Sequence, residues 1–265
     1  MKLIKPSVEI LPQGEGLEGI YKHIEYAGRT CYKSHDKITP DSAKEFVDRM
    51  IKSGHGAMLE HGTVYLKVLS GNKFRDGAFG NFNQVFSDNL YYKLNSDNEG
   101  TLYITTNFRY IIENHLEHWL QYLCEPTEHH EKRVTIKFIT DQGILREFTR
   151  HRVFSFACES TRYCNYSKNK YDNEITFIEP CWNIEGTDGY IFKLALEDAE
   201  RRYMQLIEEG WKPQQARNVL PLATKCELIM TGFKSDWDHF FFLRCPISAH
   251  PQARELAIQL KELMS

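Results

Sequence analysis

The stretch from residue 145 to residue 167, LREFTRHRVFSFACESTRYCNYS, constrains this chain more than any other. It places two arginines and a histidine on consecutive positions, 150–152, and adds Ser160 and Arg162 further along. Phenylalanines and other apolar residues bracket the charges, which is unusual for a solvated charge run. A desolvated cation needs an anionic partner, and guanidinium grips phosphate through two hydrogen bonds. The stretch therefore predicts a site for a phosphate-bearing small ligand.

These arginines have a second interpretation, as structural ion-pair partners. The chain carries 36 acidic side chains, and a lone arginine is most often paired with one of them. An RHR triplet followed by a serine and a further arginine, all between phenylalanines, favours the ligand interpretation instead. The two interpretations differ in whether carboxylates should surround Arg150, Arg152 and Arg162.

Composition excludes several broad classes of protein. With 265 residues, 42% of them apolar, the chain can bury a sizeable core in one large or two small domains. The net charge of −3 argues against a general nucleic-acid binder but leaves room for a local basic pocket. Seven scattered cysteines without a CxxC pair, an N-terminus unlike a leader and the lack of a long apolar run predict a cytoplasmic protein outside the membrane.

Hydrophobic periodicity predicts several helices and strands. Helices are predicted at 17–30, from Pro40 to Gly54, at 110–124, at 188–209, from Ser235 to Arg244 and from Pro251 to Met264, and strands at 62–68 and 133–140. Thr39 and Ser235 are expected to cap their helices. The turn at 141–143 is expected to start a helix that delivers Arg150 to its C-terminal end, where cations are favoured. The segment 153–170 has no clean period and is predicted to be an extended ligand loop.

The central stretch also resembles a known family signature. RHR at 150–152, seven further residues and then Ser160 resembles the signature of the flavin-dependent thymidylate synthases. Ser155 and the pair Arg162-Tyr163 fit the longer form of the same pattern. A signature of this length is far more specific than a glycine-rich loop.

Other segments resemble the same family. Gly54-His55 and Glu60-His61 precede a strand, as the corresponding residues do in the family. The run ARNVLPL at 216–222 resembles a segment whose arginine contacts the nucleotide. The helix that ends at Leu243-Arg244 resembles a third segment. The histidines at 55 and 61 follow a glycine helix stop, so they do not have the helical zinc spacing, and no metal is expected.

The chain departs from the family pattern at a few positions. Ala157-Cys158 stands where the family has Asn-Glu, although Glu159 follows one position on. His239 stands where the family often has a flavin-contacting Asn, and Phe233 and Ser235 stand where it often has Asn and Arg. The differences at 233, 235 and 239 predict altered contacts on the adenine side of a flavin.

The resemblance implies a fold, a reaction and an assembly. The fold would be α+β, an antiparallel or mixed sheet packed with long helices, in a single domain over 1–265 with an insertion at about 70–132. The reaction would be reductive methylation of dUMP to dTMP, with methylenetetrahydrofolate as carbon donor, FAD as cofactor and NADPH as reductant. The enzyme would be a homotetramer with active sites shared between subunits, and it would need no protein nucleophile.

The same resemblance assigns roles to individual residues. Arg244 would be catalytic, because a guanidinium beside N3 and O4 of uracil stabilises the charge that makes C5 nucleophilic. The residues implied to bind dUMP are Glu147, Arg150, Glu159, Ser160, Thr161, Arg162, Arg217 and Arg244. Those implied to contact FAD are His55, Arg150, His151, Arg152 and His239.

Several alternatives stay open at this point. The aromatic- and Asn-rich part of 70–132 could form a stacking surface, although a subunit interface is the favoured interpretation. The chain could instead be a nucleotide- or RNA-binding module that uses Arg150–Arg162 as a phosphate clamp. It could also be a family member that has lost its activity and serves as a scaffold. A bound flavin would argue against the RNA-binding module, and tritium release from C5-labelled dUMP would argue against the scaffold.

Overall fold

The described strands form three sheets. The structure is a computed structural model that describes residues 1–69, 90–168 and 173–265. In chain order the strands are β1 (Lys2–Ile4), β2 (Ser7–Leu11), β3 (Thr63–Val68), β4 (Tyr92–Ser96), β5 (Leu102–Asn107), β6 (Arg133–Asp141), β7 (Ser155–Cys158), β8 (Thr176–Ile178) and β9 (Lys225–Phe233). β1 and β8 pair in parallel, whereas the sheets β2-β6-β9-β7 and β3-β5-β4 are antiparallel. With the helices, these sheets confirm a mixed α+β fold.

Helices occupy much of the remaining described chain. They are α1 (Gly16–Tyr32), α2 (Ser42–Lys52), α3 (Gly56–Leu59), α4 (Phe108–Glu113), α5 (Gln142–Phe148), α6 (Gly186–Glu208), α7 (Pro213–Ala216), α8 (Lys234–Arg244) and α9 (Pro251–Leu263). Gly54 and Gly210, at φ +69° and +89°, follow α2 and α6, where the left-handed backbone that ends a helix favours glycine. None of the helices in the described ranges is long and apolar enough to cross a membrane.

The four-stranded sheet and three helices enclose the core beside the RHR segment. β6 pairs with β9 from Arg133 opposite Phe233 to Asp141 opposite Lys225. A cluster of side chains from the sheet, α5, α8 and α9 is completely or almost completely buried, including Phe138, Phe148, Met230, Trp237, Phe240 and Leu256. Each such burial contributes about 1.5–3 kcal/mol, so the core holds the C-terminal ends of α5 and α8 in fixed positions.

A second core lies between α1, α2 and the three-stranded sheet. Its buried members include Ile24, Val47, Val64, Ile104 and Trp119. Residues 90–132 supply β4, β5 and α4 to this core, so this part of the expected insertion is an integral part of the packing. The phenylalanines for which an interface or stacking role was considered, Phe74, Phe79, Phe82 and Phe86, lie outside the described residues.

The helix predicted at 110–124 is wrong. α4 ends at Glu113, and His115 with φ +56° separates it from a 3-10 helix at Glu117–Tyr122. The apolar stripe is real, because Trp119 is buried, but the break turns the second half in another direction. Hydrophobic spacing predicts which side chains are buried. It does not predict that one residue between them adopts a left-handed backbone conformation and interrupts the helix.

Other local predictions also need correction. The segment 153–170 is not all loop, since it contains β7, a four-residue edge strand paired with β9. Asp41 and Phe233 stand at the N-caps expected to be Thr39 and Ser235. By contrast, the helix start after 141 is confirmed, because the carboxylate of Asp141 accepts the N–H of Ile144 at 2.7 Å.

Candidate active site

Arg244, the last residue of α8, lies in a hydrogen-bonded cluster with Glu147 and His151. Its Nε donates to Nε2 of His151 at 2.9 Å. Its Nη1 donates to Oε2 of Glu147 at 2.8 Å, and its Nη2 donates to the backbone oxygen of Glu147 at 2.6 Å. The side chain of Arg244 is only 14% exposed. Two helix ends, fixed by the core beneath them, therefore bring together three residues that the sequence assigned to the site.

The imidazole of His151 is uncharged in this cluster. Burial, the Arg244 guanidinium and His239 lower the pKa of His151 to about 4. Because the Arg244 guanidinium can only donate, Nε2 of His151 accepts and the ring proton is assigned to Nδ1. The ring packs against Phe240, with 5.0 Å between ring centroids, which fixes its orientation.

Arg150 and Arg152 flank His151 and are exposed. Within the described ranges, neither they nor Arg162 has a carboxylate oxygen within 4.0 Å. The ion-pair interpretation is therefore wrong for these three arginines as far as the described residues go. The expected apolar wall also needs correction, because Phe148 and Phe154 are buried behind the guanidiniums and leave them open to solvent.

A second cluster forms where β7 ends. The hydroxyl of Ser160 accepts the N–H of Arg162 at 3.3 Å, and Nε of Arg162 donates to Gln214 at 3.1 Å. Nη1 of Arg217 donates to the hydroxyl of Thr161 at 3.2 Å. The predicted serine, threonine and two arginines therefore lie together, although 56 positions separate Thr161 from Arg217.

Glu159, in contrast, is a structural anchor of this loop. Its carboxylate is buried, with Oε2 2.7 Å from Nζ of Lys225 and 3.8 Å from Nζ of Lys33. Lys225 also donates to Glu227 at 2.5 Å. Burial opposes these charges, but Lys225 and Lys33 outweigh it and lower the pKa of Glu227 to about 2. Both lysines contact the same oxygen, Oε2, and the expectation that Glu159 contacts dUMP stays a prediction.

A cavity of about 700 Å³ is lined by Glu147 and by Pro221 and Leu222, which follow the Arg217–Val219 turn. Trp182 and Phe192 add aromatic surface to its wall. A cavity of this volume, lined in part by apolar and aromatic side chains, is large enough for a small organic ligand.

A smaller cavity, of about 170 Å³, opens where β6 begins and β9 ends. Arg152, Glu60, Arg133 and Phe233 are among the residues that line it. Phe233 is 4% exposed, and its ring lies 5.6 Å from the Arg133 guanidinium carbon. At this position the chain therefore has a buried ring instead of the amide expected from the family pattern.

The two remaining histidines of the expected flavin site differ in their surroundings. His239 lies on α8, with its ring stacked on Phe242 at 6.3 Å, and it is close enough to influence the pKa of His151. His55 precedes α3 and lines a separate cavity of about 810 Å³ together with Arg29 and Arg49. Glu60 bonds Arg109 at 2.7 Å. In the described part of the chain, no group of three His, Cys, Asp or Glu side chains is arranged to hold a metal.

The donor set fits an anionic flavin dinucleotide. Arg150 and Arg152 offer guanidiniums without acidic partners in the described residues, and the neutral His151 can exchange hydrogen bonds with a flavin ring. These are the groups that a diphosphate and a heteroaromatic ring require.

Comparison with known proteins decides the family. Residues 90–265, about two thirds of the chain, match the family model described as thymidylate synthase complementing protein. The chain belongs to this family. The resemblance found in the RHR signature is thereby confirmed. The match includes residues 90–132, so most of the segment expected to be an insertion lies inside the matched region of this chain.

Curated relatives of this chain carry the name flavin-dependent thymidylate synthase. The one from Geobacter sulfurreducens is 27% identical over 129 residues, 46% of this chain and 53% of its own length. The one from Synechocystis is 27% identical over 139 residues, 49% of this chain and 65% of its own length. The one from Corynebacterium aurimucosum is 22% identical over all of this chain and 86% of its own length. The chain thus spans less than two thirds of the first two relatives.

A solved structure is also similar in part. The UMP/dUMP methylase PolB from Streptomyces cacaoi, bound with 5-Br dUMP, aligns over 100% of this chain and 92% of its own. The sequence identity is 17% and the TM-score is 0.47, and no part of the assignment depends on this likeness.

Two cations of the structure, the half-buried Arg133 and the buried Lys225, are not indicated by any of the sequence motifs. The alternating pattern that begins at Arg133 predicts only a strand. Their partners lie far along the chain, at Glu60 and Glu159. The signal available in the sequence is an arginine or a lysine at the end of a strongly apolar strand. Burying a charge at such a position costs free energy unless the charge has a hydrogen-bonding or anionic partner.

Proposed function

We propose that this protein is a flavin-dependent thymidylate synthase. It transfers the one-carbon unit of methylenetetrahydrofolate to C5 of dUMP and forms dTMP and tetrahydrofolate. FAD, reduced by NADPH, supplies the hydride that converts the transferred methylene to a methyl group. The observation that carries this proposal is the Arg244 cluster, in which a largely buried guanidinium is aimed by Glu147 and a neutral His151.

Arg244 is proposed as the catalytic residue. Its guanidinium stabilises negative charge on N3 and O4 of uracil, which raises the nucleophilicity of C5. Glu147 accepts hydrogen bonds from Nη1 and Nη2 of Arg244, and His151 accepts one from Nε. The guanidinium is therefore oriented before the substrate binds. Preorganised charge of this kind costs no rearrangement during the reaction.

The loop at 160–162 and Arg217 are proposed to hold the dUMP phosphate. Their hydroxyls and guanidiniums converge, and Arg150 is proposed to add a further cation. Glu159 contributes indirectly, because its bond to Lys225 fixes the strand that precedes the loop. FAD is proposed to contact His55, Arg150, His151, Arg152 and His239.

A homotetramer with shared active sites is part of the proposal. His55 lines a different cavity from Arg152, which is the distribution expected when one flavin spans two subunits. Exposed apolar side chains such as Leu90, Tyr91 and Phe242 are available for contacts between copies. Sedimentation of the purified chain, with and without FAD, tests this assembly.

The absorbance spectrum of the purified full chain tests the proposed function. A flavin spectrum that bleaches on addition of NADPH, together with tritium release from C5-labelled dUMP, is expected. A colourless protein that does not take up added FAD and that shifts labelled RNA would contradict the enzyme and support a binding module.

Replacing Arg162 by alanine is expected to raise the dissociation constant for dUMP by roughly tenfold to a hundredfold. A hydrogen bond to a charged group contributes about 1.5–3 kcal/mol, and Arg162 offers one to the phosphate. Flavin affinity should change little. Equilibrium titration with dUMP and with FAD measures both. The matched control is Arg201→Ala, which replaces an exposed arginine on α6. Equal losses of affinity for dUMP and for FAD in Arg162→Ala would argue against separate subsites.

A further inference from the structure

Arg133 is a cation that the proposed reaction leaves unused. It begins β6 opposite Phe233, and it lines the small cavity of about 170 Å³ together with Arg152. This volume is below the 300–1,000 Å³ typical of sites for whole small molecules, so the cavity suits one group of a larger ligand.

The guanidinium of Arg133 is incompletely compensated. Its Nη1 donates to the backbone oxygen of Glu60 at 3.0 Å and more weakly to the hydroxyl of Thr63 at 3.4 Å. Among the described residues, none accepts a hydrogen bond from its Nε or Nη2, and none places a carboxylate oxygen within 4.0 Å of it. Burial lowers the pKa of Arg133 to about 10, so the group is still charged at neutral pH.

The nearest carboxylate does not fill this role. Glu60 lies in the same cavity, but its Oε1 accepts from Nη1 of Arg109 at 2.7 Å. Arg109 also bonds Glu113 at 2.8 Å, so these three side chains form their own network. Arg133, whose Nε and Nη2 have no acceptor among the described residues, and Arg152, which has no carboxylate within 4.0 Å in the described ranges, both line this cavity.

A phosphate group fits these two guanidiniums. A desolvated guanidinium is stabilised most by a bidentate anion, and two of them at one site match the charge of a diphosphate. A carboxylate ligand would also pair with one fork, but the proposed cofactor carries its negative charge only as phosphate. We propose, on the basis of the proposed function, that Arg133 and Arg152 together bind the diphosphate of the flavin dinucleotide in this cavity.

The test compares Arg133→Met with Arg254→Met in the full chain. Arg254 is a matched control, because it is a partly buried arginine that donates to a backbone oxygen, that of Cys245 at 3.0 Å, and lies outside the cavity. Both proteins are stripped of flavin and titrated with FAD and with riboflavin, which has no phosphate. Thermal unfolding is followed with and without sodium pyrophosphate.

Arg133→Met is expected to weaken FAD binding by about tenfold or more and riboflavin binding by less than twofold. The thermal shift that pyrophosphate causes in the wild type should be lost in Arg133→Met and kept in Arg254→Met. Arg133→Lys, which keeps the charge and loses the fork, should lie between them.

Equal FAD affinity in the two Met variants would overturn the inference while leaving the synthase proposal intact. A different result is that the wild type binds pyrophosphate but no flavin, and that Arg133→Met loses the thermal shift caused by pyrophosphate. This result would support an anion site at Arg133. It would contradict the assignment of that site to FAD and the proposed synthase function. A variant that unfolds during purification is replaced by Arg133→Lys, whose FAD affinity then decides: a loss supports the inference, and wild-type affinity overturns it.

Discussion

Replacing Arg244 by alanine is expected to lower thymidylate formation by roughly a hundredfold or more while flavin stays bound. Removing one donor that stabilises developing charge costs about 3 kcal/mol of barrier height. In this protein Arg244 is oriented by hydrogen bonds to Glu147 and His151, so its replacement removes a guanidinium that is already in position. Tritium release from C5-labelled dUMP measures the chemical step, and absorbance measures the flavin content.

Two further variants separate charge from position. Glu147→Gln keeps the Arg244 guanidinium but weakens its restraint, so a smaller loss of rate is expected than in Arg244→Ala. Arg254→Ala controls for the loss of any partly buried arginine near the C-terminus. A rate near that of the wild type in Arg244→Ala, with flavin bound, would remove Arg244 from the mechanism.

The folded protein is expected to lose roughly 5 kcal/mol of stability between pH 7 and pH 4.5 through two buried histidines. Nε2 of His23 bonds the hydroxyl of Thr135 at 2.8 Å, and Nδ1 of His61 bonds that of Thr231 at 2.8 Å. Burial first, and then the Arg133 charge, lowers the pKa of His23 to about 4, and burial, His23 and Arg133 lower the pKa of His61 to about 3.

The sign follows from which state takes up protons first. In the unfolded chain histidine titrates near pH 6.5. Below that pH the unfolded state therefore binds protons at these histidines that the folded state does not bind. The stability is therefore complete above about pH 6.5 and falls as the pH decreases toward 4. A depressed carboxylate pKa, such as that of Glu227, affects stability only below its normal value near 4.5 and does not disturb this window.

Urea unfolding at pH 7, 6 and 5 measures the effect. His23→Gln keeps a hydrogen-bonding group for Thr135 and removes one titration, so the decrease of stability with pH should be less steep than in the wild type. His129→Gln, at an exposed position, should reproduce the slope of the wild type. Identical slopes in His23→Gln and in the wild type would show that His23 is protonated in the folded state.

The RHR signature identified the family and placed Arg150, His151 and Arg152 in one short segment. The sequence also located the helix that starts after Asp141, because an N-cap carboxylate acts on the backbone three residues away. Such features are local, and the atoms that create them are close in the chain. The apolar periods of α6 and α9 were predicted for the same reason.

The roles of Glu159 and Arg133 could not be predicted in this way. Glu159 looked like a substitute for a missing family carboxylate, yet it bonds Lys225, which is 66 residues away. The first bond of Arg133 is to a backbone oxygen 73 residues away. A sequence shows that a charge is present, but whether it is neutralised depends on which distant group folding places beside it.

By itself, the sequence determined the family, the α+β class and the segment that carries Arg150 and Arg152, since these follow from a motif, from hydrophobic periods and from residue type. Only the tertiary structure decided that Glu147 and His151 orient Arg244 and that Glu159 is bonded to Lys225. It also decided that Arg133 lines a cavity and has N–H donors without acceptors among the described residues. The reason is that hydrogen bonds and charge pairs act over about 3–4 Å in space, whatever the separation along the chain.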